Sequence, residues 1–336
     1  MTKTLKANAR LSVAPMMDWT DRHCRYLHRL MSRETLLYTE MITAPALVRG
    51  GAHHLLEFND EEHPVALQLG GSDPAELAEA AKMAQDRGYD EINLNVGCPS
   101  DRVKSGCFGA VLMETPDLVA RCTEAMIGAT DLPVTVKCRI GVDDQDPRTV
   151  LPDFLHRVEQ TGVDRVIVHA RKAWLKGLSP KENREVPPLD YALVQDMKSA
   201  FSGMHVSING GVSDLNSAAA FLAQGLDGIM IGRAAYHRPA EILLEADSRI
   251  FGAEHPSKTV HGVVQDMLPY IENECAKGQK LHSITRHMLG LFTGRPGARI
   301  WRRVLSEGAS KPQAGPDLVL QALAHVPEEG DIRASA

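Results

Sequence analysis

The sequence predicts an α/β fold, a (β/α)8 TIM barrel followed by a C-terminal all-helical domain. Three observations carry this expectation. Short apolar runs recur along the chain, each followed by Gly, Pro or Asn and then by a longer amphipathic stretch, which is the pattern of repeating strand–helix units. Strand signals stop near residue 245 and only helical periodicity remains beyond it. The 336 residues exceed a typical single domain but accommodate one barrel of about 250 residues with a small appendage.

In chain order the strands are expected at Leu11–Pro15, Leu36–Glu40, Val65–Leu69, Glu91–Asn95, Val134–Cys138, Arg165–His169, His205–Asn209 and Gly228–Gly232. An open doubly wound sheet could use such units, but eight of them favour closure. Helical patterns lie between the strands. The one opening at Pro74 shows the start signal clearly, because Ser72-Asp73 can cap it and proline suits a first helical turn. Beyond residue 245, the stretch Lys277 to Arg303 holds Lys277, Lys280, Arg286, Arg295, Arg299, Arg302 and Arg303 without an acidic residue. By itself such a run is more often a solvated helix face than a nucleic-acid surface. The last segment, Pro327–Ala336, is polar and expected to be loose.

A formal net charge of −6 argues against a generally basic nucleic-acid coat and leaves a local basic face open. Six cysteines without a C-x-x-C or other paired spacing point to a reducing cytoplasm. The opening Met1-Thr-Lys-Thr-Leu-Lys6 lacks the apolar centre of a signal peptide, and no apolar stretch approaches membrane-spanning length. A soluble cytoplasmic protein is expected.

The chemistry gathers at the strand ends. In Asn93-Leu-Asn-Val-Gly-Cys98-Pro-Ser, Gly97 and Pro99 break a buried strand around a thiol, leaving Cys98 on a rigid loop at the strand's C-terminal end, where barrel enzymes keep their reacting groups. Free cysteines usually pack as small hydrophobes. The flanking Gly and Pro, with Asn95 beside them, set Cys98 apart from Cys24, Cys107, Cys122, Cys138 and Cys275, and a second glycine-bearing turn, Ser105-Gly-Cys-Phe-Gly109, follows. Other strands end in Ala14-Pro15-Met16-Met17-Asp18, Gln68, Lys137, His169-Ala-Arg171, Asn209-Gly210-Gly211 and Gly232-Arg233. The last two are amide-rich turns before helices, the usual phosphate cradle of this architecture, although Asn-Gly-Gly alone is most often an ordinary turn. Lys137 needs an anion, which a salt bridge would supply as readily as a ligand. His169 reads as a ligand contact or as a hydrogen-bonded core histidine.

Together these segments resemble a known family. Ala14-Pro-Met-Met-Asp-Trp19, Leu94-Asn-Val-Gly-Cys-Pro-Ser-Asp-Arg-Val103, Val136-Lys-Cys-Arg-Ile-Gly141, His169-Ala-Arg-Lys-Ala-Trp-Leu175, Asn209-Gly-Gly and Gly232-Arg233 are similar to the flavin-dependent tRNA-dihydrouridine synthases, from about residue 10 to the C-terminal helices. The stretch His169 to Glu185, followed by Pro187-Pro-Leu-Asp-Tyr191, resembles the A subfamily, which modifies uridines 20 and 20a of the tRNA D-loop. The resemblance implies an FMN-binding catalytic barrel over residues 1–245 and a helical tRNA-binding domain over 246–330. It implies that Pro15, Met16 and Met17 lie under or beside the flavin ring, that Gln68 bonds its pyrimidine edge and that Lys137 faces N1 and O2. His169, Asn209, Gly210, Gly211, Gly232 and Arg233 would hold the phosphate, and Asn95 the target uracil.

On that resemblance hydride reaches C6 of uracil and Cys98 protonates C5. A thiol with an ordinary value near 8.5 is mostly protonated at neutral pH, which suits an acid. NADPH is the expected reductant, and a Rossmann motif is not required for a transient one. Lys181 and Arg184 in the long loop after the sixth strand, with Arg299 and Arg302, are the expected tRNA contacts. A monomer without an obligate protein partner is expected. Two other readings compete: a barrel enzyme of small molecules, either an FMN oxidoreductase acting on a free pyrimidine or a flavin-free isomerase using Lys137 as base, and a non-catalytic RNA-binding barrel. Neither small-molecule version gives a purpose to the basic helices or the Lys172–Tyr191 loop.

Overall fold

A computed structural model describes residues 3–100 and 108–328. Residues 101–107, which include Cys107 and most of the second glycine-bearing turn, and the tail from 329 lie outside the described residues. Eight parallel strands run as β1 (Leu11–Val13), β2 (Leu37–Thr43), β3 (Val65–Gly70), β4 (Glu91–Val96), β5 (Val134–Arg139), β6 (Arg165–His169), β7 (His205–Asn209) and β8 (Gly228–Ile231). Each follows its neighbour in space, and β1 pairs with β8. The remaining seam is drawn shut by a parallel bridge between Ser12 and Leu36, with Val13 N–H donating to Leu36 O at 3.0 Å. The sheet is therefore a barrel, as the eight-unit pattern predicts.

Period two divides every strand between two environments. In β4, Ile92, Leu94 and Val96 are fully buried in the apolar shell between strands and helices. Their alternates, Glu91, Asn93 and Asn95, lie on the opposite face and belong to the lumen. The lumen's own apolar cluster is small: Ala14, Tyr38, Ala66, Ile167 and Met230, closed beneath by Leu36 and by Leu5 and Ala9 at the N-terminal helix Lys3–Asn8.

The helices follow their sequence signals. Pro74–Arg87 opens on Asp73, whose carboxylate accepts the Ala75 and Glu76 N–H groups, and closes on left-handed Gly88. After β8, the helix Ala246–Phe251 still rides on the barrel, where the Asp247 carboxylate takes the Ser32 hydroxyl and the Arg33 N–H. The later helices Val260–Ala276, Leu281–Thr285, Ala298–Gly308 and Pro316–Leu323 pack around fully buried Trp301, whose indole N–H donates to Met288 O at 3.0 Å.

They dock on the first barrel helix, Arg22–Met31. Tyr26 stacks on Tyr270 with centroids 4.0 Å apart, Arg22 pairs with Glu274 at 2.5 Å, and Asp21 takes Arg286 at 2.5 Å and His287 at 3.0 Å. Burial alone would raise the Asp21 carboxyl; His287, the Cys24 N–H and Arg286 outweigh it and hold the group well below the usual carboxylate range. Two cations of the basic run are therefore engaged in ion pairs within the chain, half-buried Arg286 with Asp21 and exposed Lys277 with Glu274. No helix among the described residues is long and apolar enough to cross a membrane.

Candidate active site

The C-terminal ends of the strands gather the predicted residues at one mouth. Cys98 leaves β4 two residues after Val96, and the loop is rigid for identifiable reasons. Asn95 Oδ1 accepts the Gly97 and Cys98 N–H groups at 3.0 and 2.9 Å, and the Cys98 carbonyl accepts from Ala110 at 2.9 Å. A side chain at Gly97 would press on the Cys138 backbone at 3.3 Å, so the loop lies tight against β5. Cys98 remains half-buried, its Sγ 3.5 Å from the Ser100 hydroxyl. By contrast Cys24, Cys122 and Cys138 are buried in the core, and Cys275 lies far along the chain in a C-terminal helix.

Beside the thiol stands a group of cations. Lys137 and Arg139 share the inward face of β5. Lys137 Nζ donates to Asn209 Oδ1 at 3.1 Å, and no carboxylate among the described residues pairs with it. Burial first, then the neighbouring Arg139 charge, brings its ammonium down to about 8. Among the described residues Arg139 donates only to backbone carbonyls, those of Gly97, Lys172 and Asn183, and burial lowers it to about 10. Arg184 lies at the exposed edge of the mouth, and its guanidinium is lowered by desolvation and then by the Arg233 charge, while the Cys98 thiol draws it the other way. Cations that depress one another in a low-dielectric mouth fit an anionic ligand.

His169 supplies a second, independent sign. Burial and then Arg139, Lys137 and Arg171 hold its imidazole well below the usual range, so it is neutral, and its buried Nε2 has no hydrogen-bond partner among the described residues. It faces the Gly210-Gly211 turn, where both glycines are left-handed, with φ of 104° and 74°. A Cβ on Gly210 would strike the His169 ring at 2.6 Å, and one on Gly211 would strike the Tyr191 hydroxyl; only glycine permits this cradle. Tyr191 holds it from outside by donating to Gly210 O at 2.9 Å. An orphaned imidazole nitrogen, a glycine cradle and the first amides of the helix Arg233–His237 together fit a phosphate group. Gly232 opens that helix. The Arg233 guanidinium, however, turns to Glu185 at 2.5 Å, so this residue offers its N–H to the cradle while its side chain ties down the loop after β6.

The remaining predicted residues divide by availability. Gln68 and Asn95 lie in a buried amide network, Asn95 Nδ2 donating to Gln68 Oε1 and Gln68 Nε2 to Asn93 Oδ1, each at 2.8 Å; each nitrogen keeps a second N–H without a partner among the described residues. Asn209 is spent on Lys137 and on Met230 O, to which it donates at 2.8 Å. Pro15 and Met16 are half-buried at the rim, and Met17 is 53 % exposed, an apolar ledge beside the opening. Lys181, Arg299 and Arg302 are exposed and unpaired among the described residues, Arg299 and Arg302 on the helix whose other face buries Trp301 and Leu305.

Several residues that shape the mouth were not singled out from the sequence. Arg139 is one, and the alternation in Val134-Thr-Val-Lys-Cys-Arg139 carries its signal, since it shares a face with Lys137; Arg171, named there only as a strand-end residue, is another cation beside His169. Glu40 is a third: its carboxyl, raised by burial, accepts the N–H of left-handed Asp18 at 2.5 Å and so shapes the turn behind Met17. Trp19, ending that turn, stacks on Tyr236 with centroids 4.5 Å apart.

Known proteins are similar to this chain along nearly its whole length. A profile of the dihydrouridine synthase (Dus) family matches residues 12–326. A protein of Vibrio vulnificus named tRNA-dihydrouridine(20/20a) synthase is 57 % identical over 326 residues, covering 97 % of this chain and 99 % of its own. One of Escherichia coli K12 with the same name is 58 % identical over 312 residues, 93 % of this chain and 89 % of its own. Among solved structures, the crystal structure of TcOYE with pHBA superposes with a TM-score of 0.53 at 11 % identity, over 74 % of this chain and 90 % of that one, a likeness of fold alone.

Proposed function

The chain belongs to the dihydrouridine synthase family, and from that premise we propose that it reduces the C5=C6 bond of uridines 20 and 20a in the tRNA D-loop to 5,6-dihydrouridine. The observation that carries the reading is the half-buried Cys98 thiol, its backbone N–H held by Asn95, beside the cationic, phosphate-fitting mouth. FMN fits that mouth: the Gly210-Gly211 turn, His169, Gly232 and the Arg233 N–H would hold its phosphate, Lys137 the N1/O2 edge, Gln68 the pyrimidine edge, and Pro15, Met16 and Met17 the ring face. When bound, FMN supplies the hydride that adds at C6 of uracil, with NADPH as the source of electrons.

The protein's part is to orient the base and move one proton. Asn95, with its spare N–H, and Arg184 are set to hold the uracil carbonyls, stabilising the negative charge that develops on the ring as C6 becomes saturated. Cys98 Sγ gives its proton to C5 and recovers one from solvent, so each turnover adds two hydrogens and leaves the thiol unchanged. The target base must leave its stack to reach this depth. A barrel for catalysis over residues 1–245, on which the helix Ala246–Phe251 also packs, and the helices that follow for tRNA divide the work, with Arg299, Arg302 and Lys181 on phosphates. A monomeric, cytoplasmic enzyme suits this task.

The direct test is to incubate the purified protein and NADPH with tRNA lacking dihydrouridine, and to seek by mass spectrometry a uridine heavier by about two mass units. Its appearance at positions 20 and 20a supports the reading; activity on free pyrimidines but not on tRNA would favour the small-molecule alternative. Cys98→Ala is expected to retain FMN and tRNA binding and to lose turnover by about 10²- to 10⁴-fold, measured under single-turnover conditions. An unimpaired rate removes Cys98 from the chemistry.

A further inference from the structure

A line of hydrogen bonds crosses the lumen from the closed end of the barrel to the Cys98 loop, and both of its ends are chemically fixed. At the closed end the Glu91 carboxylate can only accept; it takes the Thr135 hydroxyl at 2.7 Å, the Tyr38 hydroxyl at 2.5 Å and the Arg165 guanidinium at 2.7 Å. At the open end the Gly97 and Cys98 N–H groups can only donate, and both reach Asn95 Oδ1. Between these ends Asn95 Nδ2 donates to Gln68 Oε1 at 2.8 Å, Gln68 Nε2 to Asn93 Oδ1 at 2.8 Å, and Asn93 Nδ2 to Thr135 Oγ1 at 2.9 Å. Turning any one amide over would set oxygen against oxygen or N–H against N–H on both of its sides. The line is therefore satisfied in one sense only. Glu91, Asn93 and Thr135 are completely buried and Gln68 is 1 % exposed, so water cannot repair a mismatch.

We propose that Glu91, acting through Thr135, is a positioning residue for the barrel mouth: it sets the direction of three amides, holds the Cys98 loop in place and turns N–H groups of Gln68 and Asn95 toward the ligand. A carboxylate at the far end of the lumen thus selects for acceptor-rich rings such as a pyrimidinedione. The ligand clause rests on the flavin reading above; the loop clause does not.

Thr135→Val tests this with little change of volume, because it deletes the relay hydroxyl and leaves the Arg165–Glu91 pair intact; Thr135→Ser keeps the hydroxyl. The first readout is the rate of Cys98 alkylation by iodoacetamide in the full-length, flavin-free protein, with Cys275 as the internal standard. Arg102 and Lys104 let trypsin separate Cys98 from Cys107. The second is the FMN dissociation constant from quenching of flavin fluorescence. With a constraint worth about one hydrogen bond removed, Thr135→Val is expected to alkylate at Cys98 roughly five- to tenfold faster and to bind FMN roughly five- to tenfold more weakly, with Cys275 unchanged. Thr135→Ser should restore both. Should the valine variant not fold, Thr135→Ala removes the same hydroxyl without the added branch and is read in the same way. A parental Cys98 alkylation rate without the hydroxyl, or a serine variant that fails to restore it, overturns the proposal. A parent protein that binds no FMN would instead overturn the flavin reading, and the alkylation rates would still decide the role of Glu91.

Discussion

The two faces of the same strands follow different rules. Outward, Ile92, Leu94, Val136, Val166 and Val168 are wholly buried against the helices, and what they require is volume. Inward, Glu91, Asn93, Thr135, Lys137, Arg139 and Arg165 occupy a lumen whose polar groups are held by directed hydrogen bonds and by the Arg165–Glu91 ion pair, with Nε and Nη2 of Arg165 left without an acceptor among the described residues. A barrel can place chemistry at its mouth only if the layers beneath hold polar groups in register, so its inner face is specified by hydrogen-bond direction and charge, and its outer face by shape.

The largest effects should come from breaking the inner rule. Arg165 and Glu91 are both completely buried and meet at 2.7 Å. Arg165→Met is expected to cost about 3–5 kcal/mol, because it strands a buried carboxylate, and adding Glu91→Leu should recover much of that loss. Denaturant unfolding of the single and double variants measures it. On the outer face Leu94→Ala should cost about 2–5 kcal/mol through the cavity it leaves, and no partner deletion will restore it. A double lumen variant no more stable than Arg165→Met alone would erase the distinction between the faces.

A smaller effect of opposite sign is expected at Lys137. Its folded-state value, about 8, lies below the ordinary lysine value of 10.5, so the cost of burying its charge is fully present below pH 8 and disappears as pH rises past 10.5. Lys137→Met should therefore stabilise the ligand-free protein by about 1–2 kcal/mol at pH 7, the figure being discounted for solvent at the mouth, and by nothing near pH 10.5. The same variant should bind FMN more weakly. A gain that is equal at both pH values would mean that packing, and not charge, is responsible.

This asymmetry also decides what could be read in the sequence. The strands were legible because Val, Ile and Leu on the outer face mark them, and β6 and β7 run over the residues their apolar alternation predicts. Cys98, Lys137, His169 and Asn209 were legible as polar residues at strand ends. Arg165 and Glu91 were not, since they stand at strand beginnings, far apart in the chain, and only barrel closure makes them a pair. Arg233 was half legible: its glycine-led turn marks the cradle, but the pairing of its side chain with Glu185 depends on the path of the loop after β6. The basic run misled in part for the same reason. Asp21, which engages Arg286, caps a helix far back in the chain, whereas Glu274, which engages Lys277, stands three residues before it on the same helix, just outside the run.

The densest part of that run left facing solvent is the outer face of the helix Ala298–Gly308. Trp301 and Leu305 anchor it inward, while Arg299, Arg302 and Arg303 point to solvent without a partner among the described residues. Unlike the lumen, this face is specified by neither direction nor volume, so its loss should leave the fold untouched. Arg299→Ala combined with Arg302→Ala should weaken tRNA binding about tenfold at low salt and make the plot of log affinity against log salt shallower by about one to two, because up to two fewer phosphates are neutralised. Filter binding or fluorescence titration at several salt concentrations, with Tm as the control, separates the outcomes. Unchanged binding at every salt concentration would move the RNA surface toward Lys181 and Arg184. A lower Tm with an unchanged slope would mean that these arginines support the helix instead of the substrate.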